Sequence, residues 1–252
     1  MTEDTLIKKP QAISLVLKSV KQIAPYVKHF VFECDKFSYV AGQFITIHFE
    51  KEGKMLRRSY SIATSPDEFN KTGCIEFAAG YVEGGPASEL LFHLKEGDTL
   101  QATGPFGRLI LKEEMPKRYV FVSTSTGVTP FRSMLDDLSR HFQNDSELMV
   151  VLLEGVQYRK DILYTDDFLN FAAKHPQFTF HACYSREEAT GLETHEHIGY
   201  VQNLFSQLTL DPQRDIVYLC GNPGMIDESF LLLKEKGFEV KQIFREKYIS
   251  SK

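Results

Sequence analysis

Cysteine is scarce in this chain of 252 residues, and the few cysteines are scattered. No two of them are close enough in sequence to supply the Cys-x-x-Cys pairs of an iron–sulfur cluster or a structural zinc site. The eight histidines include no His-Glu-x-x-His pattern, and the pair His195 and His197 is predicted to lie on a solvated loop. We therefore predict no bound metal and free thiols in a reducing compartment. The cysteines are Cys34, Cys74, Cys183 and Cys220.

Long apolar runs and excess positive charge are also missing. No stretch approaches the length of a membrane span, and residues 1–5 are polar and acidic, unlike a signal peptide. We therefore expect a cytoplasmic protein without a membrane partner. With 34 acidic and 29 basic residues, the net charge is −5, which gives no general electrostatic reason to bind nucleic acid.

The first part of the chain has the pattern of an antiparallel β domain. Short apolar segments separated by Gly, Pro and charged turns favour a closed or sandwiched antiparallel sheet. A short helix is predicted at residues 90–95. The predicted strands are residues 14–20, 27–34, 43–49, 60–64, 74–82 and 99–103.

The second part alternates apolar strands with helical segments, a pattern that predicts a parallel, doubly wound sheet of five strands. Such sheets bind ligands at the carboxyl ends of their strands. We expect two domains, residues 1–115 and 116–252, joined by a charged linker at 112–117. The predicted strands are residues 119–123, 148–153, 178–183, 216–220 and 240–244, and the helices are near 130–142, 166–174, 199–207 and 225–236.

One segment of the β domain, residues 57–66, combines a cation, an aromatic ring and a hydroxyl at Arg58, Tyr60 and Ser61. On a strand, Arg58 and Tyr60 would share one face and Ser61 would point to the other. The set suits a flat cofactor that carries phosphate, because the ring can stack and the guanidinium can bind an anion. A basic surface strand with a core tyrosine would look the same, so the segment alone leaves both interpretations open.

Three strand ends of the second part carry ligand-type residues. Residues 123–130 hold hydroxyl side chains and a glycine before Pro130, where helix amides attract phosphate. Ser185 and Arg186 suit a phosphate monoester. Residues 220–225 place a thiol before a Gly/Pro turn. Each has an ordinary alternative: a capped turn, a solvated loop or a buried small residue.

Taken together and in order, these segments resemble the ferredoxin–NADP reductase family, which joins a flavin-binding β-barrel to a nucleotide-binding α/β domain. The Arg-x-Tyr-Ser motif, the turn at residues 84–88, the segment 104–107, the loop 126–130, the Cys-Gly-Asn-Pro-Gly-Met segment at 220–225 and the ending 246–248 all match family motifs. The resemblance implies a two-domain β plus α/β fold with FAD and NADP(H) as cofactors.

The resemblance also assigns roles to individual residues. It implies catalytic roles for Ser61 near flavin N5, Cys220 beside the nicotinamide and Glu246 as an orienting or proton-relaying acid. The residues assigned to FAD are Arg58, Tyr60, Ser61, Gly84, Gly85, Ala87, Ser88 and Tyr248. Those assigned to NADP(H) are Thr126, Gly127, Pro130, Ser185, Arg186, Tyr200, Gln202, Gly221 and Met225.

Two positions depart from the family pattern. Ser125 stands where the family usually has the first glycine of Gly-Thr-Gly, so the backbone is expected to approach a pyrophosphate less closely. Tyr248 is followed by four residues, 249–252, whereas the plastid-type branch ends on its aromatic residue. The extension favours the bacterial branch and leaves open which residue faces the flavin ring.

The function that follows from the resemblance is hydride transfer between NADP(H) and FAD, with single electrons passing to or from ferredoxin or flavodoxin as a transient partner. A reductase component for an oxygenase, or a free-flavin or quinone reductase, is the alternative on the same fold. A non-catalytic flavin-binding redox module is a third hypothesis, against which Cys220 and Glu246 argue. The sequence does not identify the electron acceptor, since no motif marks the surface that selects it.

Overall fold

The computed structural model describes residues 9–112 and 116–249, which form two compact units. The first unit contains 9–112 together with Thr129–Asp136, and the second contains 116–128 and 137–249. The predicted domain boundary involves residue 115, which lies outside the described residues, as does the middle of the predicted linker at 112–117. The predicted boundary therefore stays a prediction.

The first unit is built on a six-stranded antiparallel sheet in the order β4-β3-β6-β1-β2-β5. The strands are β1 Gln11–Ala24, β2 Val27–Cys34, β3 Phe44–Lys51, β4 Lys54–Ser61, β5 Cys74–Gly80 and β6 Thr99–Phe106. Helix α1, Pro66–Thr72, connects β4 to β5, and helix α2, Pro86–His93, connects β5 to β6. The sheet curls because the chain just after β4 meets β5 at the opposite edge, where the Ala63 amide donates to the Glu76 carbonyl at 2.7 Å.

The interior of this curled sheet is rich in aromatic side chains. Phe30, Phe32 and Phe77 are fully buried, and Phe77 stacks on both of the others at centroid distances of 5.5 and 5.4 Å. They lie on the inward face because side chains alternate along a strand. Ile62, which directly follows the Arg-x-Tyr-Ser motif, is fully buried in the same core. A short helix, α3 at Thr129–Ser133, belongs to this unit, and its Ser133 hydroxyl accepts from the Gly42 amide at 2.9 Å.

The second unit contains a six-stranded parallel sheet in the order β10-β9-β8-β7-β11-β12. Its strands are β7 Arg118–Thr124, β8 Met149–Val156, β9 Phe178–Tyr184, β10 Glu196–Ile198, β11 Asp215–Gly221 and β12 Ile243–Lys247. Its helices are α4 Leu135–Asn144, α5 Thr165–Lys174 and α6 Pro223–Glu235. The central strands are buried along nearly their whole length, as a sheet covered on both faces requires.

The predicted fold class is confirmed, and several element bounds differ from the predictions. The structure adds the three-residue strand β10 at the sheet edge, too short to leave a sequence pattern. The predicted helix at 199–207 is a 3₁₀ turn at Val201–Phe205, and the predicted last strand at 240–244 begins only at Ile243. β4 lies earlier than the predicted 60–64, since an edge strand tolerates its exposed charged side chains.

None of the helices among the described residues is both long and apolar enough to cross a membrane. In the same part of the chain, no three His, Cys, Asp or Glu side chains are arranged so that they could hold a metal ion.

Candidate cofactor and catalytic sites

The predicted flavin motif lies at the end of β4, an edge strand of the first sheet. Tyr60 is half-buried and stacks on Phe77 at a centroid distance of 4.8 Å and an interplanar angle of 23°. Burial raises the pKa of Tyr60 to about 12, so its hydroxyl stays protonated at neutral pH. Arg58 is half-buried on the same strand, and Ser61 is buried at its end. One strand therefore presents a braced ring, a cation and a hydroxyl within four residues.

A helix N-terminus follows the end of β5 in the same unit. Gly84 has a φ of +68°, and the Gly85 amide donates to the Val82 carbonyl at 2.9 Å, so a tight turn leads into α2. The first-turn amides of a helix have no intrahelical acceptor, which leaves those of Ala87 and Ser88 for an anion. The Ser88 hydroxyl accepts from the Val82 amide at 2.8 Å and keeps its own proton to donate. This turn therefore offers hydrogen-bond donors to an anion, and the assignment of Ala87 and Ser88 to FAD stays a prediction.

In the second unit, two strand ends are packed backbone to backbone by glycines. An added Cβ on Gly127 would lie 2.3 Å from the Cys220 carbonyl oxygen, and one on Gly221 would lie 2.4 Å from Thr124 Oγ1. Gly221 also has a φ of +123°, a conformation that residues with a side chain rarely adopt. The Thr124 hydroxyl accepts from the Asn222 amide at 2.8 Å. The ends of β7 and β11 are thus held at a separation that only glycine permits.

Ser125 is the position where the chain departs from the family motif, and it has a φ of +48°. Serine here pays a local cost, of order 1–2 kcal/mol, for a left-handed conformation that glycine adopts freely. The turn therefore keeps the glycine-like backbone of the motif despite the substitution. The expected looser approach to a pyrophosphate would then come from the serine side chain rather than from a different turn.

Cys220 was predicted from the segment 220–225, and Glu246 and Tyr248 from the ending 246–248. The three residues lie together at the carboxyl edge of the sheet. Cys220 and Glu246 are paired residues on β11 and β12, and the Tyr248 amide donates to the Gly221 carbonyl at 2.8 Å. Burial and the nearby Glu246 carboxylate raise the pKa of the Cys220 thiol well above its usual range, while a hydrogen bond with the Tyr248 side chain lowers it. Cys220 is therefore a neutral thiol and not a nucleophilic thiolate.

The same row of the sheet continues beyond Cys220. Register pairs join Glu246 to Cys220, Cys220 to Ser123, Ser123 to Glu154, Glu154 to Ala182 and Ala182 to Glu196. Register partners in a parallel sheet point to the same face. The row therefore places polar side chains from five of the six strands on one face, close to the carboxyl edge.

Glu154 is the residue of this row that the sequence did not single out. It is fully buried, and its Oε1 accepts from the Leu163 amide at 3.0 Å. Its Oε2 is buried without a hydrogen-bond partner among the described residues. Burial raises the pKa of Glu154 well above its usual range, and the Leu163 hydrogen bond only partly opposes this. Burial therefore favours the neutral carboxylic acid over the carboxylate at this position.

We expect Glu154 to make folding stability fall as the pH rises. Its pKa is higher in the folded than in the unfolded chain, so its contribution is complete below the unfolded pKa and is lost as pH approaches the folded pKa. Glu154→Gln should remove this slope, up to about 1.4 kcal/mol per pH unit. Urea unfolding from pH 5 to 8.5 measures it, with the exposed Glu235→Gln as control. Parallel pH profiles for wild type and Glu154→Gln would show that the buried acid is ionised.

The remaining residues predicted for NADP(H) have diverse surroundings. Ser185 is half-buried and Arg186 exposed just after β9, and Tyr200 is exposed after β10. Gln202 is buried instead, and its amide donates to Glu228 at 3.1 Å while its Oε1 has no partner within residues 9–112 and 116–249. Met225 packs in the apolar core of the second unit. Thr126 lies in the 3₁₀ turn Ser125–Val128, and Pro130 is buried in α3.

Two residues that were given no role from the sequence, Thr129 and Asn222, also lie at the strand ends that carry the candidate site. The Thr129 hydroxyl is buried, and no described residue hydrogen-bonds to it, which is uncommon for a buried polar group. The sequence signal was available, because Thr129 belongs to the loop that matched the family. Asn222 caps α6 by accepting from the Gly224 amide at 2.8 Å. The free first-turn amides, the glycine-held strand ends and the orphaned hydroxyl fit a phosphate-bearing flavin and a nicotinamide nucleotide.

Comparison with protein families gives two matches along the chain. Residues 14–110 match the family described as oxidoreductase FAD-binding domain. Residues 121–229 match the family described as oxidoreductase NAD-binding domain. The two matches cover the two predicted cofactor regions in the predicted order, and FAD and a nicotinamide nucleotide are the cofactors that they indicate.

Individual relatives point the same way. The chain is 31% identical over 243 residues to ferredoxin–NADP reductase B of Sorangium cellulosum, covering 92% of this chain and 96% of that one. It is 30% identical to the reductase component of propane 2-monooxygenase of Rhodococcus jostii, covering 85% of this chain but 56% of the relative. The crystal structure of a ferredoxin NADP⁺ reductase from Neisseria gonorrhoeae with bound FAD and NADP aligns with a TM-score of 0.78 at 22% identity, covering 95% and 99% of the two chains.

Proposed function

Because the chain belongs to the ferredoxin–NADP reductase family, we propose that it is an NADPH-dependent flavoenzyme that exchanges single electrons with a separate carrier, ferredoxin or flavodoxin. The chain is an FAD-dependent oxidoreductase of this family, and the proposal concerns its acceptor and its nucleotide. A relative named ferredoxin–NADP reductase B that aligns over 96% of its length supports a carrier in trans. The free cysteines agree with the cytoplasmic location that we propose.

The observation that carries the proposal is the cluster of Cys220, Glu246 and Tyr248 at the ligand edge of the second sheet. A module that only bound flavin would have no use for an acid beside a buried thiol on this edge. The cluster adjoins the glycine-held ends of β7 and β11, where Gly127 and Gly221 permit close backbone contact. Binding and chemistry therefore both have candidates in the second unit.

Each group has a limited role in this proposal. Bound FAD supplies the ability to take two electrons from a nicotinamide and release them singly. In the first unit, Arg58 and the first turn of α2 would bind the flavin phosphates, and Tyr60 would support the ring. In the second, the neutral Cys220 thiol would pack beside the nicotinamide without attacking it, and Glu246 would orient it or hold a proton.

A second candidate is a reductase component that serves an oxygenase. The 30% identity to the propane 2-monooxygenase reductase component favours it, although this chain spans just over half of that relative's length. The two candidates share FAD and nicotinamide chemistry and differ in the acceptor. A free-flavin or quinone reductase would differ again, since it needs no protein docking surface.

Acceptor profiling of the FAD-loaded protein with NADPH tests the proposal. We expect the highest turnover with ferredoxin or flavodoxin, measured through cytochrome reduction, and low turnover with free flavin or quinone. Activity confined to free flavin would support the free-flavin alternative. Failure with every carrier, together with rapid reduction of an oxygenase component, would support the second candidate.

We expect Tyr60→Ala to weaken FAD binding, since the ring that Phe77 braces would be lost. Stacking contributes about 1 kcal/mol beyond area burial, which corresponds to a several-fold higher Kd. Fluorescence titration of the apoprotein with FAD measures the change. Tyr60→Phe keeps the ring and should bind FAD almost normally, and Tyr26→Ala removes an exposed tyrosine as control. Equal affinity of wild type and Tyr60→Ala would remove Tyr60 from the flavin site.

A further inference from the structure

Arg159 connects three points of the chain segment that follows β9. Its guanidinium donates from Nε to Glu196 Oε1 at 2.8 Å and from Nη2 to Glu196 Oε2 at 2.7 Å. Nη2 also donates to the Gly191 carbonyl at 3.0 Å. The Arg159 backbone amide donates to Glu187 Oε2 at 2.9 Å. One residue on the loop after β8 therefore contacts the start, the middle and the end of the segment 187–196.

Glu196 lies at the centre of these contacts, and both of its carboxylate oxygens accept hydrogen bonds. Its side chain is 5% exposed, and it also accepts from the Tyr184 hydroxyl at 2.7 Å and the Glu193 amide at 2.9 Å. Burial opposes its ionisation, but the hydrogen bonds from Arg159, Glu193 and Tyr184 outweigh burial and lower the pKa of Glu196 to about 2. The pair is bidentate and stays ionised at neutral pH, so its geometry is fixed by two parallel bonds.

Ser185 and Arg186, which were predicted to suit a phosphate monoester such as the 2′-phosphate of NADP(H), directly precede the segment that is held in this way. The Ser185 and Arg186 amides donate to the Val156 and Gln157 carbonyls at 3.0 and 2.9 Å, which extends the β8–β9 ladder past the end of β9. Glu187 follows directly, and its carboxylate accepts from the Arg159 amide. That bond fixes a negative group beside the predicted phosphate site.

Arg159 and Arg186 are in different situations. The Arg159 guanidinium is committed to Glu196 and Gly191. The Arg186 side chain is exposed, and the described part of the chain gives it no hydrogen-bond or ion-pair partner. Arg186 is therefore available to an external anion, whereas Arg159 acts within the protein. Lys160, the next cation along the chain, lies 5.3 Å from the Tyr158 ring centroid and does not share the Glu196 network.

We propose that Arg159, through its bidentate bond to Glu196, is a positioning residue that holds Ser185 and Arg186 in the conformation that discriminates NADPH from NADH. The inference rests on the proposed function, because it concerns the nucleotide that the second unit binds. Arg159 does not touch the phosphate in this scheme. Its effect on binding passes through Arg186, so removing Arg159 should matter only for nucleotides that carry a 2′-phosphate.

Calorimetric binding of two probes, adenosine 2′,5′-bisphosphate and AMP, tests the inference without any electron acceptor. For Arg159→Gln we expect about tenfold weaker binding of the bisphosphate, the scale of one charged hydrogen bond, and AMP affinity within about twofold of wild type. Arg159→Lys keeps the charge but not the two parallel bonds, so it should show a partial loss and serves if Arg159→Gln folds poorly. Lys160→Gln removes the same charge next door and should leave both affinities unchanged.

A double variant separates positioning from a general structural role. If Arg159 acts through Arg186, then Arg159→Gln/Arg186→Ala should bind the bisphosphate no more weakly than Arg186→Ala alone. Three results would overturn the inference and leave the proposed function intact. They are additive losses of bisphosphate affinity in the double variant, equal losses of affinity for both probes in Arg159→Gln, and a loss of affinity in Lys160→Gln as large as in Arg159→Gln. A wild-type protein that binds both probes equally would overturn the inference and the proposed NADPH preference together, whereas FAD binding and flavin reduction by NADH would still test the enzyme class.

Discussion

Gly127→Ala is expected to slow NADPH-driven flavin reduction by about 100-fold while FAD remains bound. The added Cβ would lie 2.3 Å from the Cys220 carbonyl oxygen and 2.7 Å from the Gly221 Cα, and both are backbone atoms. The ends of β7 and β11 must then move apart. A displacement of about 1 Å at a reacting site can cost about 100-fold in rate. Stopped-flow absorbance of the flavin after mixing with NADPH measures the effect.

The control for Gly127→Ala must separate a local shift from a loss of folding. The family match to FAD lies in residues 14–110, so retained FAD shows that this region remains folded. The midpoint temperature for thermal unfolding of the second unit should fall by a few degrees, because the added methyl group overpacks the contact. Gly80→Ala is the matched variant, because its Cβ would meet nothing nearer than the Tyr26 carbonyl at 4.0 Å. Normal flavin reduction in Gly127→Ala would mean that this strand end does not shape the nucleotide site.

Cys220→Ser and Glu246→Gln are expected to slow flavin reduction by NADPH and to leave FAD affinity unchanged. Both residues lie in the polar row at the carboxyl edge, on the adjacent strands β11 and β12. For Glu246→Gln we expect a decrease of about 100-fold, the lower end of what a positioned acid or base contributes. Cys220→Ser should have a smaller effect, because serine keeps the shape but replaces a polarisable, fully buried sulfur.

Single-turnover reduction rates distinguish these roles from packing. Cys74→Ser and Glu235→Gln are suitable controls, since neither residue is part of the row. If the Cys220 and Glu246 variants lose only thermal stability and reduce flavin at the wild-type rate, Cys220 is a packing residue and Glu246 a surface acid. A change confined to KM would assign the pair to nucleotide binding rather than to the chemical step.

The sequence predicted the parts of the site that depend on local pattern. Gly, Pro and hydroxyl residues at a strand end mark a turn into a helix, and this pattern gave the loop at 126–130, whereas the turn at 84–88 came from the family resemblance. The strands β7, β8, β9 and β11 were predictable because buried parallel strands are continuous apolar runs. Cys220 and Glu246 came from separate motifs, and the fold brings them to adjacent positions.

The features that the sequence did not predict depend on contacts between distant residues. Glu154 is a single carboxyl in an apolar strand, and its burial is evident only once the Leu163 amide and the covering face are in place. Arg159 and Glu196 are 37 residues apart, and each alone is typical of a solvated loop. Strand β10 has three residues, fewer than any periodicity can reveal. The individual roles of the FAD and NADP(H) residues stay predictions.

Anaerobic titration of the FAD-loaded protein with NADPH tests the central claim most directly. The claim is that the chain binds FAD through the region that matches the FAD-binding family, residues 14–110, and a nicotinamide nucleotide through the region that matches the NAD-binding family, residues 121–229. The chain then passes electrons between the two cofactors. We predict that the visible flavin absorbance is lost after about one equivalent of NADPH and returns when an oxidant is added. An FAD-loaded protein whose flavin spectrum is unchanged by excess NADPH and by excess NADH would contradict the claim.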